Sequence, residues 1–287
     1  MIVMKRLLQN KGACIALSVI AVYLILGLFA PLITPYSPTT VRVEDRFAAM
    51  SWAHWLGTDH LGRDVLTRLI YAIRPSMLLV LCAMFCAVTL GAMLGFIAGY
   101  FGKLVDAIIM RICDVMLSFP TYVMTLALIG VLGIGLNSIF IAFIITRWAW
   151  FCRIIRTSVS QYKASDSIKF ACTIGVSHSR IVVTHIVPMV LADIAIISSS
   201  SIVSMILQIS GFSFLGLGVK APTAEWGMMM NEARKVMFSQ PELMLAPGIA
   251  MSIIVLAFNF LSDAIQVAVN PKLSTHQTRQ RIRTGEL

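Results

Sequence analysis

Charged side chains are what this chain of 287 residues has least of: they make up 13% of it, where soluble domains carry about 25%. That scarcity argues against a water-borne enzyme and leaves little polar sequence for a large soluble domain. Acids are scarcer still, 13 against 23 Lys and Arg, for a formal net charge of +10. In a soluble protein such an excess would suggest nucleic acid. Here no RNA-binding pattern of interleaved aromatics accompanies it, so no nucleic-acid partner is expected, and the excess marks loops on one side of a membrane. A G-x4-G-K-[ST] phosphate loop is also missing, so ATP must be handled by another polypeptide. Six cysteines, Cys14, Cys82, Cys86, Cys113, Cys152 and Cys172, fall in apolar runs or on the expected cytoplasmic side, which argues against a disulfide framework. Cys82 and Cys86 share a helix face and read as small packing residues.

What the chain has instead is hydrophobic sequence, 58% of its residues. Apolar runs lie near 13–33, 76–101, 106–132, 137–152, 186–209 and 244–269, and the fourth contains Arg147. The first, at 1.5 Å per residue, spans roughly 30 Å, a full hydrocarbon core. A signal-peptide core is only about 7–15 residues, so this run reads as a retained span. Six spans put both termini on one side. That side carries 14 Lys and Arg, including Lys5, Arg6 and Lys11 near the start and Lys272, Arg279, Arg281 and Arg283 near the end. The other side carries eight, nearly balanced by seven acids. The asymmetry predicts cytoplasmic termini and an all-α polytopic membrane protein.

The expected organisation is therefore a cytoplasmic N-terminus (1–12), a first transmembrane helix (13–33) and an extracytoplasmic loop with an amphipathic helix (34–75). A transmembrane domain (76–273) follows, with a cytoplasmic loop at 160–188 and an outer loop at 210–243, and then a cytoplasmic tail (274–287). In the first outer loop, Leu61, Val65, Leu66, Leu69, Ile70 and Ile73 recur with helical spacing. Asp64 and Arg68 would pair at i, i+4 on the opposite face. Such a helix should lie along the membrane or against neighbouring spans rather than cross. The second outer loop is dense in glycine: Gly211, Gly216 and Gly218, followed by Glu225 and Trp226. It reads equally as a compact turn closing the fifth span or as a structured lip at the outer mouth of a pathway.

A polar island, KFACTIGVSHSRIVVTHIVP, interrupts the hydrophobic pattern from Lys169 to Pro188. Ser165 or Asp166 can cap a short helix that Gly175 ends in the left-handed conformation. Ser177 can cap a second helix continuing through Ile181 into the membrane, with Pro188 at the boundary. Two short helices joined by a glycine turn make a rigid elbow, a place where a soluble engine can push. Ionisable residues in or beside the spans, Arg111, Asp114, Arg147, Asp193 and Asp263, divide between structural pairing and function. His54, His60 and Met228 to Met230 could touch a soft metal, but they read better as packing and loop residues, and no metal site is expected. No catalytic set converges either: the serines Ser198 to Ser201 have no histidine at their depth. A secondary transporter would show inverted repeats with broken helices, and neither is evident.

The island resembles the EAA loop of ATP-binding-cassette importer permeases, E-A-A-x3-G-x9-I-x-L-P. Ala171, Gly175 and Pro188 match in type and spacing, whereas Lys169, Phe170, His185 and Val187 replace glutamate, alanine, isoleucine and leucine. Four further blocks, HWLGTDHLGRDVLTRLIYAIR (54–74), DVMLSFPTY (114–122), GFSFLGLGVKAPTAEWG (211–227) and FNFLSDAIQVAVNP (258–271), are similar to the dipeptide, oligopeptide and nickel permease family, its second permease subunit in particular. In the last block, Gln266 and Asn270 stand where the family often has arginine and aspartate. The resemblance implies one of two homologous but different permease subunits in a bacterial cytoplasmic membrane. It also implies two cytoplasmic ATPases that use ATP and Mg, an extracytoplasmic binding protein, surrounding lipid, and no cofactor on this chain. It implies that Lys169, Phe170, Ala171, Gly175, His185 and Pro188 form the ATPase-coupling elbow. RWAWFCRIIRTSV (147–159), GTDHLGRD (57–64) and APTAEWG (221–227) look more like the nickel and metal-chelate branch than the peptide branch, which remains the alternative.

Overall fold

The computed structural model describes residues 7–269, and within them every regular element is a helix. The basic termini and the block residues Asn270 and Pro271 lie partly or wholly outside this range. Helix α1 spans Lys11–Leu28 and starts at Asn10, whose side chain accepts from the amides of Gly12 and Ala13. After a long loop come α2 (Val65–Phe101) and the pair α3 (Lys103–Leu117) and α4 (Thr121–Leu132). These are followed by α5 (Leu136–Lys163), the short α6 (Asp166–Thr173), α7 (His178–Phe214), the short α8 (Trp226–Ala233) and α9 (Glu242–Val269). Five are long and apolar enough to cross a membrane, and α3 with α4 together have the length and apolarity of a further span, bent by 82° at the break between them.

Several boundaries move outward from the apolar runs. The amphipathic segment of the first loop is not a separate surface helix. It passes through a π turn at Arg74–Leu78 directly into the second span, giving one helix of 37 residues. Pro75 lacks the amide that an α-helical ladder would need, and the wider turn accommodates that gap. The fifth span likewise starts early, at His178, through a π turn at Val182–Ile186 just before Pro188. The third run, read as continuous, breaks at Ser118–Pro120, where the proline follows the last turn of α3. The structure thus contains a broken helix that hydropathy alone does not reveal.

α2 and α5 form the spine. Gly91, Gly95 and Gly99 of α2 present a bare stripe to α5, where a Cβ would fall 2.6, 2.5 and 2.7 Å from backbone oxygens of Trp148, Cys152 and Arg156. Only glycine permits that approach, which gives the two helices a close van der Waals seam. Phe143, Phe151, Met205, Ile206 and Trp226 fill the main core between the spine, α7, α8 and α9. Lys163 Nζ donates to the Tyr100 carbonyl at 2.6 Å, so α2 and α5 end together beside α6. At the opposite end the loop before α2 meets α8. The two extremities are termed the elbow end and the cap end.

Candidate functional site

At the elbow end, α6 stops through a complete Schellman closure. Val176 N donates to Ala171 O at 3.1 Å and Gly175 N to Cys172 O at 3.1 Å. Gly175 takes φ +80°, the left-handed conformation that glycine adopts without a Cβ penalty. Ser165 and Ser177 occupy the two N-cap positions in extended conformation, but neither side chain makes the capping hydrogen bond. Ile168, Ala171 and Ile181 turn inward onto Ile155 and Val159 of α5 and Ile186 and Val190 of α7. The elbow is therefore seated on two spans and not hung from flexible chain. Tyr162 Oη donates to Asp193 Oδ2 at 2.8 Å, tying the end of α5 to α7. Arg156 pairs with Asp106 of α3, and Arg153 with Asp114. Asp114 thus finds a partner across the bundle rather than Arg111 one turn away.

The opposite face of the elbow is bare. Phe170 is 66% exposed, Ile174 61% and Val183 65%. Lys169 lies beside Phe170, with Nζ 3.3 Å from Asp166 Oδ1, a pair inside the elbow itself. His185 is exposed, its Nδ1 2.7 Å from the Thr184 hydroxyl, and Pro188 follows on the exposed side of α7. Of the six expected elbow residues, Ala171 is the inward anchor and Gly175 the hinge of the turn. Lys169, Phe170, His185 and Pro188 face outward. The result is a rigid knob with an apolar tip, mechanically continuous with α5 and α7.

The cap end is built around buried charge. Arg63 and Arg68 are 2% and 1% exposed. Glu232 Oε2 accepts from both, at 2.8 and 2.7 Å, and Asp59 Oδ2 accepts from Arg63 Nε at 2.7 Å. Asp59 Oδ1 also accepts from the amides of Leu61 and Arg63, folding the turn that carries it. Gly62 takes φ +72° there, and a Cβ would sit 1.7 Å from the Arg42 carbonyl oxygen. The expected Asp64–Arg68 pair does not form. Asp64 instead caps α2, accepting from Thr67 N at 2.7 Å, and holds His54 Nδ1 at 2.9 Å. Desolvation holds His60 below its ordinary pKa, against the pull of nearby Asp59 and Glu232.

The glycine-rich segment after α7 is compactly folded. Gly211 lies inside α7, not in a loop, and Gly216, at φ +80°, closes that helix with Leu217 N bonded to Phe212 O. Gly218 packs onto the Ser213 backbone, where a Cβ would fall 2.6 Å away. Glu225 and Trp226 are wholly buried rather than lining a rim. Glu225 caps α8 at Met228 N and accepts from Ser76 and Ser210 hydroxyls at 3.2 and 3.1 Å. Trp226 donates to the Leu69 carbonyl. Both residues therefore brace the cap against α2 and α7.

Two features escaped the sequence reading. The GxxxGxxxG stripe of α2 was readable from spacing alone. The bond between Arg147 and Gln208, which joins α5 to α7, was not, because nothing local pairs the two. No cluster of three or more His, Cys, Asp or Glu that would hold a metal ion occurs among the described residues.

Comparison with known proteins agrees with this geometry. Residues 91–275 match the model of the binding-protein-dependent transport system inner membrane component, and residues 2–49 the N-terminal transmembrane domain of oligopeptide transport permease C. The chain is 64% identical to the metal-staphylopine import system permease protein CntC of Staphylococcus aureus, over 99% of both chains. It is 38% identical to the nickel transport system permease protein NikC of Escherichia coli, over 91% of this chain and 94% of that one. It is 35% identical to the dipeptide transport system permease protein DppC of Alkalihalophilus pseudofirmus, over 94% and 89%. In fold it resembles a chain of the inward-facing MetNI methionine ABC transporter, with TM-score 0.55 and 14% identity over 71% of this chain and 96% of that one. With its crossing helices and its family blocks in order, the chain belongs to the binding-protein-dependent ABC importer permeases, as a multi-pass membrane component of the transport machinery.

Proposed function

We propose that this chain forms half of the pathway of an ATP-driven importer for nickel or a metal chelate, beside a second, different permease subunit. Its elbow sits on one of two cytoplasmic ATPases, and its cap end faces the substrate-binding protein. The observation that carries the metal assignment is the ordering of similarity. The metal-staphylopine relative is 64% identical, against 38% and 35% for the nickel and dipeptide relatives. Orientation follows the charge asymmetry, with both termini and the elbow in the cytoplasm. The elbow reading is supported by its bare apolar tip and its firm seat on α5 and α7. Such an element transmits nucleotide-driven closure because movement of the knob must move the helices it is packed against.

The test is uptake by cells that lack other nickel importers and express the complete importer. Nickel supplied with a chelator should enter in a vanadate-sensitive manner, and excess dipeptide should not compete. Uptake of the dipeptide without uptake of nickel in any form would transfer the chain to the peptide branch. Transport that persists without the ATPases would remove it from importer service altogether.

A further inference from the structure

Arg147 is a cation that neither the elbow nor the cap uses. It lies near the middle of α5, roughly 16 Å from the start of that helix at 1.5 Å per residue. The deeply buried Arg63 and Arg68 are matched by Asp59 and Glu232. Arg147 is bonded instead to the neutral amide oxygen of Gln208, itself 2% exposed. Among the described residues no carboxylate pairs with it. Two buried donors at this junction, Arg147 Nε and Gln208 Nε2, have no acceptor there.

The start of α4 approaches the same place. The break between α3 and α4 leaves α4 as a half-helix whose cap residue, Pro120, makes no side-chain capping bond. Its first-turn amides carry the positive end of the helix dipole. Thr125 of α4 bonds Thr146, the neighbour of Arg147, at 3.3 Å. Tyr122 stands beside the guanidinium, edge-on to Phe212 at a ring separation of 5.9 Å, and is 58% exposed on a face that this chain's own helices leave open. A cation with no carboxylate partner and an orphaned amide donor, beside the start of α4, are complementary to an anion.

Resting on the importer reading above, we propose that this junction is an anion subsite on the translocation pathway that receives a carboxylate of the cargo. The transported species is then a carboxylate-bearing chelate and not a bare divalent cation, which the uncompensated guanidinium would repel. The competing source of the anion, a carboxylate on the second permease subunit, predicts a different outcome.

The experiment compares wild type, Arg147→Gln and Arg147→Lys in the complete importer. Four probes are used: radioactive nickel alone, nickel bound by an amino-polycarboxylate chelator, a dipeptide, and that dipeptide with an amidated C-terminus. R147Q should lower uptake of whichever carboxylate-bearing probe the wild type accepts by about tenfold or more, the loss expected for a charge-assisted hydrogen bond. R147K should retain more of it than R147Q, and both variant complexes should assemble as wild type does. Equal uptake by R147Q and wild type would overturn the inference. So would wild-type acceptance of free nickel or the amidated peptide as readily as the carboxylate forms, or acceptance of no carboxylate-bearing probe. Loss of co-purification of the two permease subunits in R147Q would assign the anion to the partner subunit instead. A wild type that takes the dipeptide and not the chelate would end the metal reading while leaving Arg147 to be judged on the peptide pair.

Discussion

Gly175 controls the elbow more directly than any other single residue. Open space surrounds the position where its Cβ would stand, so Gly175→Ala meets no clash and its cost is purely conformational, about 1–2 kcal/mol for a left-handed residue. Assembly should survive, and coupled uptake by the complete importer should fall several-fold; unchanged uptake would show that the turn tolerates reshaping. Glu232 behaves differently. Glu232→Gln leaves Arg63 and Arg68 buried with one carboxylate between them, and breaking such a group costs about 3–5 kcal/mol. The thermal midpoint of the purified complex should drop accordingly, with aggregation at the cap. His60 adds a pH dependence. Because desolvation depresses its pKa, the unfolded chain binds its proton first as pH falls. Stability is fully present above the ordinary imidazole value of 6.5 and declines as pH drops through and below it. His60→Gln should flatten that decline in a melting series. At this scale the glycine was legible because a left-handed turn admits essentially one residue type. The Arg68–Glu232 bond was not, since its partners are 164 residues apart and helical spacing pointed to Asp64 instead.

Among the elements, the α2–α5 seam matters most. Gly95 meets the Cys152 carbonyl oxygen with no room for a methyl group, so Gly95→Leu should push the helices apart and abolish folding or expression of the complex. The same substitution at Gly130, whose surroundings are open, should be tolerated; membrane-fraction yield separates the two. Hydropathy located the five long apolar helices and the bent pair α3–α4 because such helices need length and little else. It misplaced their ends because α2, α5 and α7 run on as amphipathic or polar helix past the apolar window. The π turns at Arg74–Leu78 and Val182–Ile186 let those helices continue past prolines that would otherwise read as boundaries. The kink at Ser118–Pro120 was hidden for the opposite reason: apolar residues continue on both sides of it.

For the whole molecule, the division of labour is the main consequence of the fold. A seated knob at one end, a charge-locked cap at the other and a glycine-sealed spine between them make a body whose proposed task is to transmit displacement, and its sequence carries no G-x4-G-K-[ST] phosphate loop. Lys169 sits on the knob where the EAA motif has its glutamate, and here it pairs with Asp166. The importer reading predicts that Lys169→Glu weakens coupling to the ATPase this chain evolved with, seen as lower uptake per ATP hydrolysed. The most direct measurement places a photo-crosslinking amino acid at Phe170 in one sample and at Trp52, 95% exposed at the cap end, in another, each in the complete importer. The account predicts that position 170 captures the ATPase, with a yield that changes between nucleotide-free and ATP-vanadate states, and that position 52 never does. Capture of the ATPase from position 52, or no capture from position 170 in any nucleotide state, would contradict it.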